Sequence, residues 1–89
     1  MTVKLRVSKS MWNYYGGEIT IDLITCLIAD KIYGWWISHT GFELLRDLNL
    51  ITEKGNINKQ GRLVLASQLH DKYHRAENGI EIIKPITAL

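Results

Sequence analysis

Residues 40–65 read TGFELLRDLNLITEKGNINKQGRLVL, and the fold turns on this stretch. Phe42, Leu45 and Leu48 recur at three-residue steps with Leu44 beside them, while Glu43, Arg46 and Asp47 fall on the other side. That is a helix with one apolar stripe. Thr40 followed by Glu43 has the form of a capping box, so the helix is expected to begin at Thr40 and run to about residue 49. Leu50, Ile51 and Thr52 read as a short strand, residues 53–56 as a turn, and Ile57 as the start of the return. Asn58 is placed to cap a further helix over about residues 59–77, with Leu65, Leu69 and Tyr73 as its inner stripe and Leu63 and Ala66 nearby. Asn78 and Gly79 would end it.

Working outward, residues 2–9 alternate, with Val3, Leu5 and Val7 on one side and Lys4, Arg6 and Ser8 on the other, as in a half-buried strand. Residues 11–15 read as a loop that Gly16 and Gly17 break. Residues 20–33 have helical spacing at Ile21, Ile24, Ile28 and Ile32, with Leu23 and Leu27 widening the face. Thr20 would cap this helix, Asp22 and Lys31 suit its dipole, and Gly34 would stop it. Trp35 to His39 is a connector. Residues 80–83 form a last strand, after which Pro85 discourages pairing. The expectation is a single α+β domain over residues 1–89, with three helices and a small antiparallel sheet.

The run from Phe42 to Thr52, then Gly55, then Ile57 to Leu65, resembles part of a winged-helix domain. In that family a helix ends in a leucine-rich turn and enters a strand, as Leu48 to Ile51 do here. The helix after the wing often opens with a capping residue, a Lys, a Gly and an apolar run. Residues 58–63, NKQGRL, are similar to that pattern. The resemblance covers about residues 40–70. It implies a winged-helix-like fold and a DNA-binding transcription regulator, dimeric, with double-stranded DNA as partner. The sequence departs from the family in its short wing and in two further ways. Residues 34–39 leave room for one turn where a full helix is expected, and the second helix sets Glu43 and Asp47 against Arg46.

Composition narrows the other classes. At 89 residues there is room for one domain, which can bury about 60% of the surface its unfolded chain exposes. A net charge of +2 is too small to identify a nucleic-acid binder by itself and excludes an acidic DNA mimic. The single cysteine, Cys26, permits no internal disulfide; it lies in an apolar run and is expected to be a buried small hydrophobe. Residues 1–6 alternate apolar and charged side chains, without the apolar block of a secretion signal. The longest apolar stretch, broken by Asp22, Thr25 and Asp30, is too short to span a bilayer. These features fit a cytoplasmic protein without membrane contact.

Two sets of side chains are candidates for function. Arg46, Lys54, Lys59 and Arg62 lie near the wing and can neutralise phosphates; the alternative is an ordinary charged surface diluted by Glu53. Trp12, Tyr14, Trp35 and Trp36, with Tyr15 and Tyr33, concentrate six of the eight aromatic residues in two loops. They suit a protein interface, as in small non-enzymatic inhibitors of phage or plasmid type, or else a satellite core. Lys4, Arg6 and Lys9 form a second basic set that equally suits protection of an edge strand. His70 and His74 share a helix face but lack a third ligand or a glutamate between them, so no metal site is expected. No nucleophile–base pairing or phosphate-binding glycine loop is present, and no catalytic residue or cofactor is expected.

Overall fold

The computed structural model describes residues 2–74 and 79–85. The elements run β1 (Thr2–Arg6), α1 (Lys9–Tyr14), α2 (Ile21–Tyr33), α3 (His39–Asp47), α4 (Lys59–His74) and β2 (Gly79–Ile83). The chain is α+β, with four helices among the described residues where three were expected. The added helix, α1, is short and starts where Ser8 turns its Oγ onto the Met11 N–H at 3.3 Å. Ser8 thus leaves the outer face of the strand to become a cap, and its own N–H donates to Asp47 Oδ2 at 3.0 Å.

The sheet is parallel, correcting the antiparallel expectation. β1 and β2 pair in register from Thr2 opposite Gly79 to Arg6 opposite Ile83, and Val7 N–H continues the ladder onto the Ile83 carbonyl at 3.1 Å. Antiparallel neighbours can be joined by a tight turn, whereas a parallel pair requires a long crossover. Here α1 to α4 form that crossover. Val3, Leu5 and Val7 face the helices, as their alternation predicts, and meet Ile80, Ile24, Ile28, Leu44, Leu45 and Val64 in the core.

α2 matches its sequence signals. Thr20 Oγ1 accepts from the Leu23 N–H at 3.1 Å, and Gly34 closes the other end at φ 89°. The Trp35 N–H reaches back to the Asp30 carbonyl at 2.8 Å, satisfying an otherwise orphaned group of the last turn. Ile24 and Ile28 are buried, but Ile32 extends beyond the core and is exposed, as is Cys26, which lines a shallow groove between α2 and α4 with Leu65 and Leu69. The expected burial of Cys26 is therefore corrected. The apolar run around it supplies both the core-facing and the outward positions of one helix.

α3 begins earlier than the capping-box spacing predicts. Ser38, not Thr40, is the N-cap, with its Oγ accepting from the Gly41 N–H at 3.1 Å. Thr40 Oγ1 instead meets the Tyr14 hydroxyl at 3.3 Å. The earlier start suits Gly41, whose missing side chain leaves space that Leu27 fills: a Cβ there would lie 2.8 Å from Leu27 Cδ2.

After α3 the segment expected to be a wing is a turn closed by a single antiparallel bridge, Ile51 to Ile57. Thr52 N–H donates to the Asn56 carbonyl at 2.7 Å, and Gly55 turns the chain at φ 85° against the Phe42 ring. Asn58 caps α4 as expected: its Oδ1 accepts from the Gly61 N–H at 2.9 Å and its Nδ2 donates to the Asn49 carbonyl at 2.8 Å. The inner stripe of α4 is set by Gly61 and Val64, both buried. Leu63 and Leu65 are half-buried and Leu69 is exposed, contrary to the predicted Leu65–Leu69 stripe. Gly61 holds the first turn of α4 close to Ile57 and the Leu50 carbonyl, and the helix packs on α2 and both strands. The Tyr73 side chain and residues 75–78 lie outside the described residues.

Tyr15, just after α1, packs against the core. Burial, and then the neighbouring Tyr14, raise its hydroxyl pKa above the ordinary 10.0. Its folded pKa therefore exceeds the unfolded one. The associated stability is intact below pH 10.0 and is lost as pH rises through the folded value. Urea midpoints at pH 9 and pH 11 are expected to fall further for the wild type than for Tyr15→Phe; equal falls would show that Tyr15 ionises freely in the fold.

Candidate functional site

Phe42, half-buried on α3, anchors the basic side of the domain. The Arg46 guanidinium lies 5.3 Å from its ring centroid and the Lys31 ammonium 5.7 Å from it, both within cation–π reach. Gly55 of the wing packs on the same ring. Residues from the end of α2, the middle of α3 and the wing therefore meet at one side chain. Arg46 also lines a shallow groove between α3 and the wing with Asn49, Ile51, Thr52 and Glu53. Arg62, in the first turn of α4, lines a second cleft with Lys31, Ile32, Gly34, Asn56 and Ile57. Lys54 at the wing tip and Lys59 at the start of α4 are exposed.

The acidic residues of α3 are differently placed. Asp47 accepts from Ser8 N–H, which directs its carboxylate toward α1. Glu43 lies 3.7 Å from Arg46 and 3.9 Å from His39. Exposed pairs of this kind contribute little, about 0–1 kcal/mol. Among the described residues, no ion pair reaches Lys31, Lys54, Lys59 or Arg62. Lys31 and Arg46 meet at Phe42, Lys31 and Arg62 share a cleft beside the turn, and Lys54 and Lys59 are exposed. Reading Lys31 only as a complement to the α2 dipole overlooked it. Nothing in the local sequence shows that its ammonium reaches Phe42, because that contact depends on how α2 packs against α3.

The aromatic residues divide into two groups. Trp12 is half-buried and packs against the core, with Gly17 on one side and Lys84 Nζ 5.5 Å from its ring, so it fills the satellite-core alternative. Tyr14, Trp35 and Trp36 are exposed, as are Tyr33 and Ile32. The Tyr33 and Trp35 rings lie 5.6 Å apart at the α2–α3 turn, and Tyr14 joins the start of α3 through Thr40. Trp36 is 81% exposed, far more than packing of the turn requires.

Lys4 and Arg6 lie exposed on β1, with Lys4 opposite Glu81 in the ladder. Among the described residues, no three His, Cys, Asp or Glu side chains converge as a metal site would require, and no helix is long and apolar enough to cross a membrane. No protein-family model, no curated protein and no solved structure matches this chain.

Proposed function

We propose that the chain is a small cytoplasmic DNA-binding regulator of winged-helix type, non-enzymatic and without a cofactor, which seats α3 and the wing on duplex DNA. The observation that carries this reading is the set of cations near the wing, Lys31, Arg46, Lys54, Lys59 and Arg62, four of them without an acidic partner among the described residues. Unpaired cations beside a protruding turn match the charge and shape of a phosphate backbone. The element order adds support: α1, α2 and α3 precede the wing, so the helix missing between residues 34 and 39 has a counterpart upstream. Asp47 keeps its negative charge, with its carboxylate bonded to the Ser8 N–H at the start of α1. A homodimer on a two-fold site is part of the reading, as is usual for helix-turn-helix regulators.

The test is binding to a labelled random-sequence duplex, titrated from low to physiological salt. Micromolar affinity that falls steeply with salt supports the reading, and no binding even at low salt ends it.

A specific observation favours a second reading, a protein-binding module or inhibitor on the same scaffold. Five of the six large hydrophobic side chains exposed among the described residues, Tyr14, Ile32, Tyr33, Trp35 and Trp36, belong to α2, the α2–α3 turn and neighbouring α1. Clustered exposed aromatics are typical anchors of protein interfaces. Under this reading, Trp35→Ala and Trp36→Ala each weaken a captured partner's affinity by roughly thirtyfold or more, equivalent to about 2 kcal/mol. Unchanged affinity in both folded variants would remove this corner as the interface.

A further inference from the structure

We propose that the cleft between the end of α2, the wing and the first turn of α4 is a phosphate-binding subsite in which Lys31 and Arg62 hold one phosphate group. The cleft has a volume of about 530 Å³ and is lined by Lys31, Ile32, Gly34, Asn56, Ile57 and Arg62. Both charged residues in that lining are cations, and no acid among the described residues pairs with either. The proposal rests on the DNA reading for the source of its ligand, a backbone phosphodiester. The chemistry of the cleft requires only a tetrahedral oxyanion.

Three features favour an oxyanion. Lys31 is braced by the Phe42 ring, so less side-chain freedom is lost when its ammonium engages a ligand. Arg62 brings a planar fork that suits two oxygens of one phosphate. Asn56 has both backbone groups occupied in the wing, bonded to Thr52, while its side-chain amide makes no hydrogen bond among the described residues. The amide is therefore available to donate to a third oxygen. The end of α2 would ordinarily present bare carbonyls to such a ligand. Here the Gly34 and Trp35 N–H groups cap the Lys31 and Asp30 carbonyls, at 3.2 and 2.8 Å. That capping reduces the negative field at the cleft mouth.

A shared phosphate has a distinctive signature. Each backbone phosphate contact contributes about 0.9 to the slope of log affinity against log salt. Lys31→Gln and Arg62→Gln are each expected to make the slope shallower by about 0.9 and to weaken duplex binding roughly fivefold at 0.15 M salt. The double variant should lose little more than either single variant, because one phosphate is lost in all three. Lys4→Gln, on the exposed face of β1, should leave the slope unchanged.

In parallel, inorganic phosphate is titrated into the 15N-labelled protein. Shifts at the Gly34, Asn56 and Arg62 amides are expected in the wild type and not in the double variant. If the wild type binds duplex but both single variants keep its slope, the subsite is wrong while the DNA reading stands. Additive loss in the double variant, or an equal loss in Lys4→Gln, also overturns it. If duplex does not bind but phosphate shifts those amides in the wild type alone, the subsite holds and the DNA reading fails. Absence of both effects overturns both.

Discussion

Gly61→Ala is expected to destabilise the domain by about 2 kcal/mol, lowering Tm by roughly 10 °C, although alanine is the better helix former by about 1 kcal/mol. A Cβ at this position would lie 2.6 Å from Ile57 Cγ2 and 2.7 Å from the Leu50 carbonyl oxygen. The isoleucine methyl could move, but the carbonyl belongs to the backbone and already accepts from the Asn58 N–H at 3.0 Å. Relief therefore requires α4 to draw away from the wing. That movement strains two bonds of the junction, Asn58 N–H to Leu50 and the Gly61 N–H to Asn58 Oδ1. The measurement is the urea midpoint, compared with that of Gln60→Ala on the exposed side of the same turn. A Gly61→Ala protein as stable as wild type would show that α4 does not approach Leu50 this closely.

The second large effect concerns binding. Reversing Lys54, Lys59 and Arg62 together to glutamate is expected to reduce duplex affinity on the order of a hundredfold at 0.15 M salt and to make the salt slope shallower by about 2.7. The loss should be similar for all sequences, because phosphate contacts position a protein without reading bases. All three side chains are exposed, so folding should survive, as thermal denaturation would verify. Duplex binding with an unchanged slope after the triple reversal would remove these cations as the contact surface and direct attention to the outer face of α3, where His39 and Thr40 lie.

Signals confined to a few neighbouring residues were legible: Thr20 and Asn58 as caps, Gly34 as a left-handed stop, and the alternation of Val3, Leu5 and Val7. Two local signals competed at α3, where Ser38 and Thr40 both suit an N-cap. The packing of Gly41 under Leu27 accords with Ser38. The direction of the sheet was not legible, because the strand pattern of β2 is the same whichever way β1 runs beside it. Cys26 and Leu69 were misread because an apolar run on a helix does not specify how far round the core extends. At the candidate site, Arg46 and Arg62 could be named from their nearness to the wing. Lys31 and Asn56 could not, since they join the site only through packing against Phe42 and the turn of the wing.

The pairing of β1 with β2 also bears on how the domain is made. Synthesis delivers β1 before every helix, yet its partner strand is residues 79–83. At about 5–20 residues per second, several seconds separate the two. Throughout that interval the segment with Val3, Leu5 and Val7 lacks its ladder partner, and such an apolar segment is open to chaperones or to the same segment of a neighbouring nascent chain. Lys4 and Arg6, alternating with them, place positive charge on that waiting segment and oppose its stacking against copies of itself. The alternation that builds one wall of the finished core thus also protects the chain before that core exists.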